Sequence, residues 1–279
     1  MQRNHHLPMT APLLERLKNG SILTGMQCFS GSPVLVEAMG HAGLNFVTID
    51  MEHSPTGLEN MAHLLRAAEA SGITAFARVP QLDSSIIGRV LDLGAAGFVL
   101  PHASALRCRE ALQYARYAPL GVRSACPMIR ATGYMPPDWN AFAHASNQNA
   151  LVVPLIEDRT GLDECEAIFD LDGIDIVFVG PFDLSLSIGH PGKDFRHPQM
   201  AEALARVTKA AAERGKFVMT TVASTIDHDY ARTLLDAGVK LLSFSADVGV
   251  FFSACRSIAA HGGTSDFQAP IASGAANPR

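Results

Sequence analysis

The sequence predicts an α/β fold, a closed (β/α)8 TIM barrel, and three observations carry that prediction. Short apolar segments with strand character alternate with helix-spaced segments along the chain. A glycine stands near the end of most of those helices. The apolar runs are nearly continuous, as in strands covered on both faces of a parallel sheet. Eight such units fill most of the 279 residues, and barrels of about 250 residues commonly form one domain. Residues 1–260 are therefore read as one barrel domain with a short N-terminal segment. Residues 261–279, rich in Gly, Ala, Ser and Pro, are read as a flexible C-terminal tail. An open doubly wound sheet is the alternative, but no Gly-x-Gly-x-x-Gly follows an early strand.

The first strand is read over Ile22 to Phe29. Gly43 closes a helix before the second, Phe46 to Ile49, and Gly72 does so before the third, Thr74 to Ala77. Gly94 and Gly97 precede the fourth, Phe98 to Leu100. The fifth, Leu151 to Ile156, follows a long connection from Pro119 to Asn149. Gly173 precedes the sixth, Ile176 to Val179; Gly215 the seventh, Phe217 to Met219; and Gly238 the eighth, Leu241 to Phe244. Glycine suits these places because it takes the left-handed conformation that ends a helix. Helical spacing is clearest over Leu58 to Ala70, Ser84 to Leu93, Ala105 to Tyr117, Pro198 to Arg214 and Ile226 to Ala237. The long connection holds Arg123, Arg130, Tyr134, Trp139 and His144, so it is read as a partial lid or a subunit contact.

A hydrophobic content of 48% with 18% charged residues fits a chain that buries a large core. The net charge of −5 comes from 22 basic and 27 acidic residues and contains no basic cluster, which points to a small-molecule partner and away from nucleic acid. Cys28, Cys108, Cys126, Cys165 and Cys255 are scattered, as expected for reduced thiols in a cytoplasmic protein. The N-terminal residues carry no signal-like apolar core, and no run approaches the ~18 apolar residues of a membrane span.

Barrels of this kind do their chemistry at the C-terminal ends of the strands. There the chain places Asp50-Met51-Glu52-His53, Arg78-Val79-Pro80, Pro101-His102, Glu157-Asp158-Arg159 and Gly180-Pro181-Phe182-Asp183. Each has an ordinary reading by itself. Glu157 or Asp183 alone reads as a helix-start acid, His53 and His102 as structural histidines, Arg78 as a counter-ion to Asp50 or Glu52, and Asp92 as a solvated helix acid. Together, Glu157 and Asp183 offer two hard oxygen ligands suited to Mg²⁺ or Mn²⁺, with Co²⁺ a further candidate, and call for no organic cofactor. Such an ion would polarise the carbonyl of a 2-oxo acid and favour an enolate. Arg78 is placed to stabilise the oxyanion and His53 to move a proton. The backbone N–H groups of Phe182 and Asp183, past the Gly180-Pro181 turn, would meet a substrate carboxylate. Lys216 and Lys240 begin their strands, at the end opposite the mouth, which argues against imine chemistry.

At these residues the sequence resembles the HpcH/HpaI family of class II pyruvate aldolases, the group that acts on 4-hydroxy-2-oxoheptanedioate and 2-dehydro-3-deoxyglucarate. The similarity runs through Asp50 to His53, Arg78 to Pro80, Leu91-Asp92-Leu93-Gly94-Ala95, Arg116 to Pro119 with Gly121-Val122-Arg123, Ile156-Glu157, and Gly180 to Ser185. The resemblance implies a barrel whose final helix is exchanged between subunits, with dimers assembled into hexamers. It implies that Glu157 and Asp183 hold the divalent ion, that Arg78 contacts the pyruvyl oxygen, and that His53 transfers a proton at the aldol hydroxyl. It further implies that Asp92 reaches the histidine of a neighbouring subunit and that Asp50 is an active-site acid. The family commonly has Gln where this chain has Leu155, which shares a strand face with Glu157 and brings apolar surface to the substrate.

The expected activity is metal-dependent, reversible cleavage of a 4-hydroxy-2-oxo acid to pyruvate and an aldehyde, an aldehyde-lyase reaction. Two alternatives remain open at this point. The same enolate serves an oxaloacetate decarboxylase or a lyase of the citrate-lyase or macrophomate-synthase kind, and a barrel that only binds a carboxylate needs no catalysis.

Overall fold

A computed structural model describes residues 10–223 and 227–262. Eight parallel strands close in sequence order into a barrel: β1 (Leu23–Cys28), β2 (Phe46–Asp50), β3 (Thr74–Arg78), β4 (Gly97–Leu100), β5 (Leu151–Ile156), β6 (Ile176–Val179), β7 (Phe217–Val222) and β8 (Leu241–Ala246). Helix α1 (Thr10–Lys18) precedes them. The outer helices are α2 (Pro33–His41), α3 (Leu58–Ser71), α4 (Ser84–Asp92), α5 (Ala105–Ala115), α6 (Trp139–Asn149), α7 (Arg159–Asp163), α8 (Cys165–Phe169), α9 (Pro181–Ser187), α10 (Pro198–Glu213), α11 (His228–Asp236) and α12 (Asp247–Gly262). The glycines read as helix stops, Gly43, Gly72, Gly94, Gly173, Gly215 and Gly238, all have positive φ.

Two apolar clusters form. One lies between the strands and the helices, and the other fills the barrel with Leu23, Phe46, Phe76, Val153, Phe178 and Met219 among others. Leu13 and Leu17 of α1 join the inner cluster at 3% and 2% exposure. Because α1 feeds β1, it stoppers the N-terminal end of the barrel and leaves the opposite end as the mouth.

Several boundaries differ from the sequence reading. β2 and β3 each run one residue further, so Asp50 and Arg78 are ladder residues, paired with each other in register. Their positions are fixed by strand hydrogen bonding. α5 stops at Ala115 because Arg116 is extended, with φ −109° and ψ 141°. α11 starts at His228, capped by Asp227, whose Oδ1 accepts the Tyr230 N–H at 3.0 Å; the predicted start at Ile226 lies outside the described residues. So does the predicted tail beyond Gly262.

The long connection is not a lid. It contains α6 and a 3₁₀ turn over Arg130–Thr132, and it links a helix to the next strand. In a (β/α)8 barrel such links lie at the N-terminal ends of the strands, away from the mouth. Arg130 accordingly donates to Leu93 O at 2.8 Å, past the C-terminal end of α4. Helix α12 is apolar yet exposed, with Phe251, Phe252 and Ile258 at 71%, 61% and 72%. Among the described residues no helix is long and apolar enough to cross a membrane.

Candidate active site

The ladder register between β2 and β3 sets two opposite charges side by side at the mouth. The Arg78 Nε donates to Asp50 Oδ2, and both residues are buried, at 8% and 1% exposure. The other carboxylate oxygen, Oδ1, accepts the His53 backbone N–H at 2.6 Å. Asp50 therefore neutralises Arg78 and fixes the turn that carries His53, whose side chain is 59% exposed. Phe29 lies under the guanidinium, 5.8 Å from ring centroid to Cζ, and presents its π face to the charge.

Glu52 completes this side. Its Oε2 is 3.5 Å from Arg78 Nε and 3.8 Å from His53 Nε2, yet it is buried without a properly formed hydrogen bond.

Across the mouth, Glu157 follows β5 and is also buried, with its Oε1 accepting the His102 N–H at 2.8 Å. His102 has φ 50°, a left-handed conformation that costs a non-glycine residue energy and here aims that N–H at the carboxylate. The His102 ring adds Nδ1 contacts of 3.5 Å to Glu157 Oε1 and 3.4 Å to Asp158 Oδ2. Gly180 packs over Glu157: a Cβ there would stand 3.2 Å from both Glu157 Cβ and Leu155 Cδ1. Asp183 lies in the first turn of α9 and is exposed, beside Phe182 at 66%. Burial raises the proton affinity of Glu157 above that of an ordinary carboxylate. The His102 N–H and ring oppose that shift, and the negative charges of Glu52 and Asp183 reinforce it.

The sequence-predicted residues Asp50, His53, Arg78, Glu157, Gly180, Phe182 and Asp183 thus gather at one end of the barrel. Leu155 is 2% exposed and belongs to the inner cluster, so it forms floor beneath Glu157 and Gly180. Asp92 is not brought to them. It ends α4, at the other end of the barrel, where its Oδ1 accepts from Arg123 Nη2 at 2.6 Å. Glu52 and His102, which the sequence placed at the mouth but read only as a partner of Arg78 and as a structural histidine, also belong to the site. Glu52 had a signal, its placement two residues after Asp50; the backbone turn at His102 had none.

Glu157 and Asp183 fit a divalent cation by chemistry. Both are hard oxygen donors, and Glu157, raised in proton affinity by burial and by the nearby charges of Glu52 and Asp183, gains from added positive charge. Among the described residues no group of three or more His, Cys, Asp or Glu could enclose a metal. Two carboxylates with water or substrate completing the shell is the habit of Mg²⁺ and unlike structural zinc.

Comparison with known proteins converges on one group. The profile of the HpcH/HpaI aldolase/citrate lyase family matches residues 24–254. The chain is 34% identical over 255 residues to the hydroxypyruvate/pyruvate aldolase of Paraburkholderia phytofirmans, covering 88% of this chain and 95% of that one. It is 32% identical over 237 residues to the 5-keto-4-deoxy-D-glucarate aldolase of Klebsiella pneumoniae, with coverage of 84% and 90%. The crystal structure of an HpcH/HpaI aldolase/citrate lyase family protein from Burkholderia cenocepacia superposes with a TM-score of 0.82 at 32% identity, covering 91% of this chain and 99% of that one.

Proposed function

The chain belongs to the HpcH/HpaI aldolase/citrate lyase family, and we propose that it is a divalent-metal-dependent aldolase that reversibly cleaves a 4-hydroxy-2-oxo acid to pyruvate and an aldehyde. One observation carries the reading. Asp50, Glu52, Glu157 and Asp183 share the mouth, and among the described residues the Arg or Lys ion pairs to them come from Arg78. That excess of negative charge leaves a cation to be supplied with the ligand.

A divalent ion held by Glu157 and Asp183 supplies Lewis-acid polarisation of the 2-oxo group. The chain's own residues do the rest. His53 takes the proton of the C4 hydroxyl, the C3–C4 bond breaks, and its electron pair moves onto the 2-oxo oxygen, where Arg78 stabilises the enolate. The aldehyde departs, and protonation at C3 gives pyruvate. Asp50 holds Arg78 and the His53 turn in place throughout. The first N–H groups of α9, at Phe182 and Asp183, have no intrahelical partner and receive the substrate carboxylate beside Gly180.

Assembly belongs to the same proposal. The exposed apolar side chains of α12 dock on a neighbouring subunit, a dimer-based hexamer results, and Asp92 reaches a neighbour's His53. The test of the function is solvent deuterium exchange into the methyl group of pyruvate, together with pyruvate release from a 4-hydroxy-2-oxo acid. Both are expected to vanish on exhaustive chelation and to return with Mg²⁺, Mn²⁺ or Co²⁺; activity that survives chelation rejects the reading. Oxaloacetate as a parallel substrate distinguishes a decarboxylase.

A further inference from the structure

Helix α12 opens on a buried acid. Asp247 is 5% exposed, while Phe251, Phe252 and Ile258 further along the helix stand out from the barrel. An acid at a helix start ordinarily caps N–H groups of its own helix. Among the described residues the one intrahelical donor to Asp247 is its neighbour Val248, whose N–H reaches Oδ1 at 2.8 Å. The other donors lie 217 and 218 positions away, in the turn that follows β1. The Phe29 N–H reaches Oδ1 at 2.9 Å, the Ser30 N–H lies 3.2 Å from each oxygen, and the Ser30 hydroxyl donates to Oδ2.

The strands are irregular where this contact forms. Gly25 faces Ser243 and Gln27 faces Ala246, so two steps along β1 match three along β8. Ser245, inside that bulge, has φ 52°, a left-handed conformation that costs a serine energy. Gly249 makes room for it, since a Cβ there would stand 3.0 Å from Ser245 Oγ. Asn or Ser in place of Asp247 would accept from the turn without burying a charge. A strained bulge at the mouth end of a strand, followed at once by a buried carboxylate, is a local cost of the kind that functional sites retain.

The turn held by Asp247 reaches the chemistry. Phe29 sets its ring 5.8 Å from Arg78 Cζ, and Arg78 is the group that meets the enolate oxygen in the reading above. Asp50 holds that guanidinium through its Nε, and Phe29 supports it from a ring face. Displacing a reacting group by about 1 Å can cost about 10²-fold in rate. We infer that Asp247 is a positioning residue: its carboxylate seats the start of α12 on the Phe29–Ser30 turn and so holds the Phe29 ring under Arg78. The inference rests on the aldolase reading and deepens it, because it ties the mouth to a helix whose apolar side chains the barrel leaves exposed.

The test is a double-variant cycle read by deuterium exchange into pyruvate at saturating Mg²⁺. Asp247→Asn keeps the size of the side chain, removes its charge and turns one acceptor into a donor. It is expected to lower kcat for exchange by about fivefold with the KM for pyruvate little changed, and Phe29→Leu to do the same. The two together are expected to cost about fivefold in total, against roughly 25-fold for independent effects, because both act through the ring beneath Arg78. A side chain that only steadied the fold would lower the melting temperature and show no such coupling. Ser30→Ala, which removes one donor at an exposed residue, takes the place of Asp247→Asn in the cycle if that variant does not fold, and the same non-additivity is expected. A folded Asp247→Asn that exchanges at the wild-type rate, or losses that multiply in the double variant, overturns the inference alone, since exchange in the wild type leaves the aldolase reading standing. Absence of metal-dependent exchange in the wild type overturns that reading and this inference with it.

Discussion

The two ends of the barrel treat charge in opposite ways. At the base, acids and bases are matched: Arg123 with Asp92 at 2.6 Å, Lys216 with Asp175 at 3.1 Å, Arg214 with Asp170 at 2.7 Å, and Arg130 with Glu69. At the mouth, Asp50 and Glu52 share Arg78, while Glu157 has the His102 N–H and ring beside it and, among the described residues, no Arg or Lys ion pair. Those base carboxylates each have a cation of the fold's own, although the base too holds orphaned buried atoms, Arg123 Nε and the Tyr117 hydroxyl. The mouth carries buried charge and orphaned polar atoms that the fold itself does not need, which is where local rules are expected to yield to function.

Mirror substitutions break or sharpen that contrast most strongly. Arg78→Ala is expected to reduce deuterium exchange into pyruvate by about 10²–10³-fold, since it removes the group that meets the oxyanion, while circular dichroism still reports a folded barrel. Arg123 is buried against Tyr117, with Cζ 4.5 Å from the ring centroid, and bonds Asp92 and Ser146. Arg123→Ala is expected instead to cost about 2 kcal/mol in denaturant unfolding. The contrast fails if Arg78→Ala keeps its exchange rate or if Arg123→Ala leaves stability untouched.

Asp92 is the residue that crosses the comparison, for it sits at the base of its own barrel and is proposed to act at a neighbour's mouth. His53→Ala and Asp92→Asn are each expected to lower the aldol rate by about 10²-fold. Mixed into common oligomers, the two variants are expected to recover roughly a quarter of wild-type activity, because that share of sites joins an intact His53 to an intact Asp92. No recovery in verified mixed oligomers removes Asp92 from the reaction and leaves it as the counter-ion of Arg123.

How much of this was legible in the sequence depends on where the controlling information lies. The barrel was legible because the apolar runs and the glycine stops are local. Asp50, Arg78, Glu157 and Asp183 were legible because a residue ending a parallel strand must stand at the mouth. Of the two readings given to the connection from Pro119 to Asn149, a partial lid or a subunit contact, the lid does not hold, for large side chains in a long connection say nothing of which end of the barrel it serves. Its place between a helix and a strand already assigned it to the base. The hydrogen bond from Gln27 to Thr221 joins residues 194 positions apart, and no local pattern announces it.

The finest probe of the contrast is Glu157→Gln, which removes one mouth charge and keeps an acceptor for the His102 N–H. In the folded, metal-free protein Glu157 holds its proton more tightly than the ordinary value of 4.5, chiefly through burial. Above the ordinary range the folded state therefore binds more protons here than the unfolded chain, and stability falls as pH rises through the elevated pKa. Metal-free Glu157→Gln is expected to melt about 2 °C above the wild type at neutral pH, a gap that closes as pH falls toward the ordinary carboxylate range. Saturating Mg²⁺ is expected to reverse the order, because binding stabilises only the protein that retains its ligand. If the metal-free variant melts below the wild type at neutral pH, Glu157 is a stabilising structural acid like those of the base, and the distinction between the two ends is lost at its most important residue.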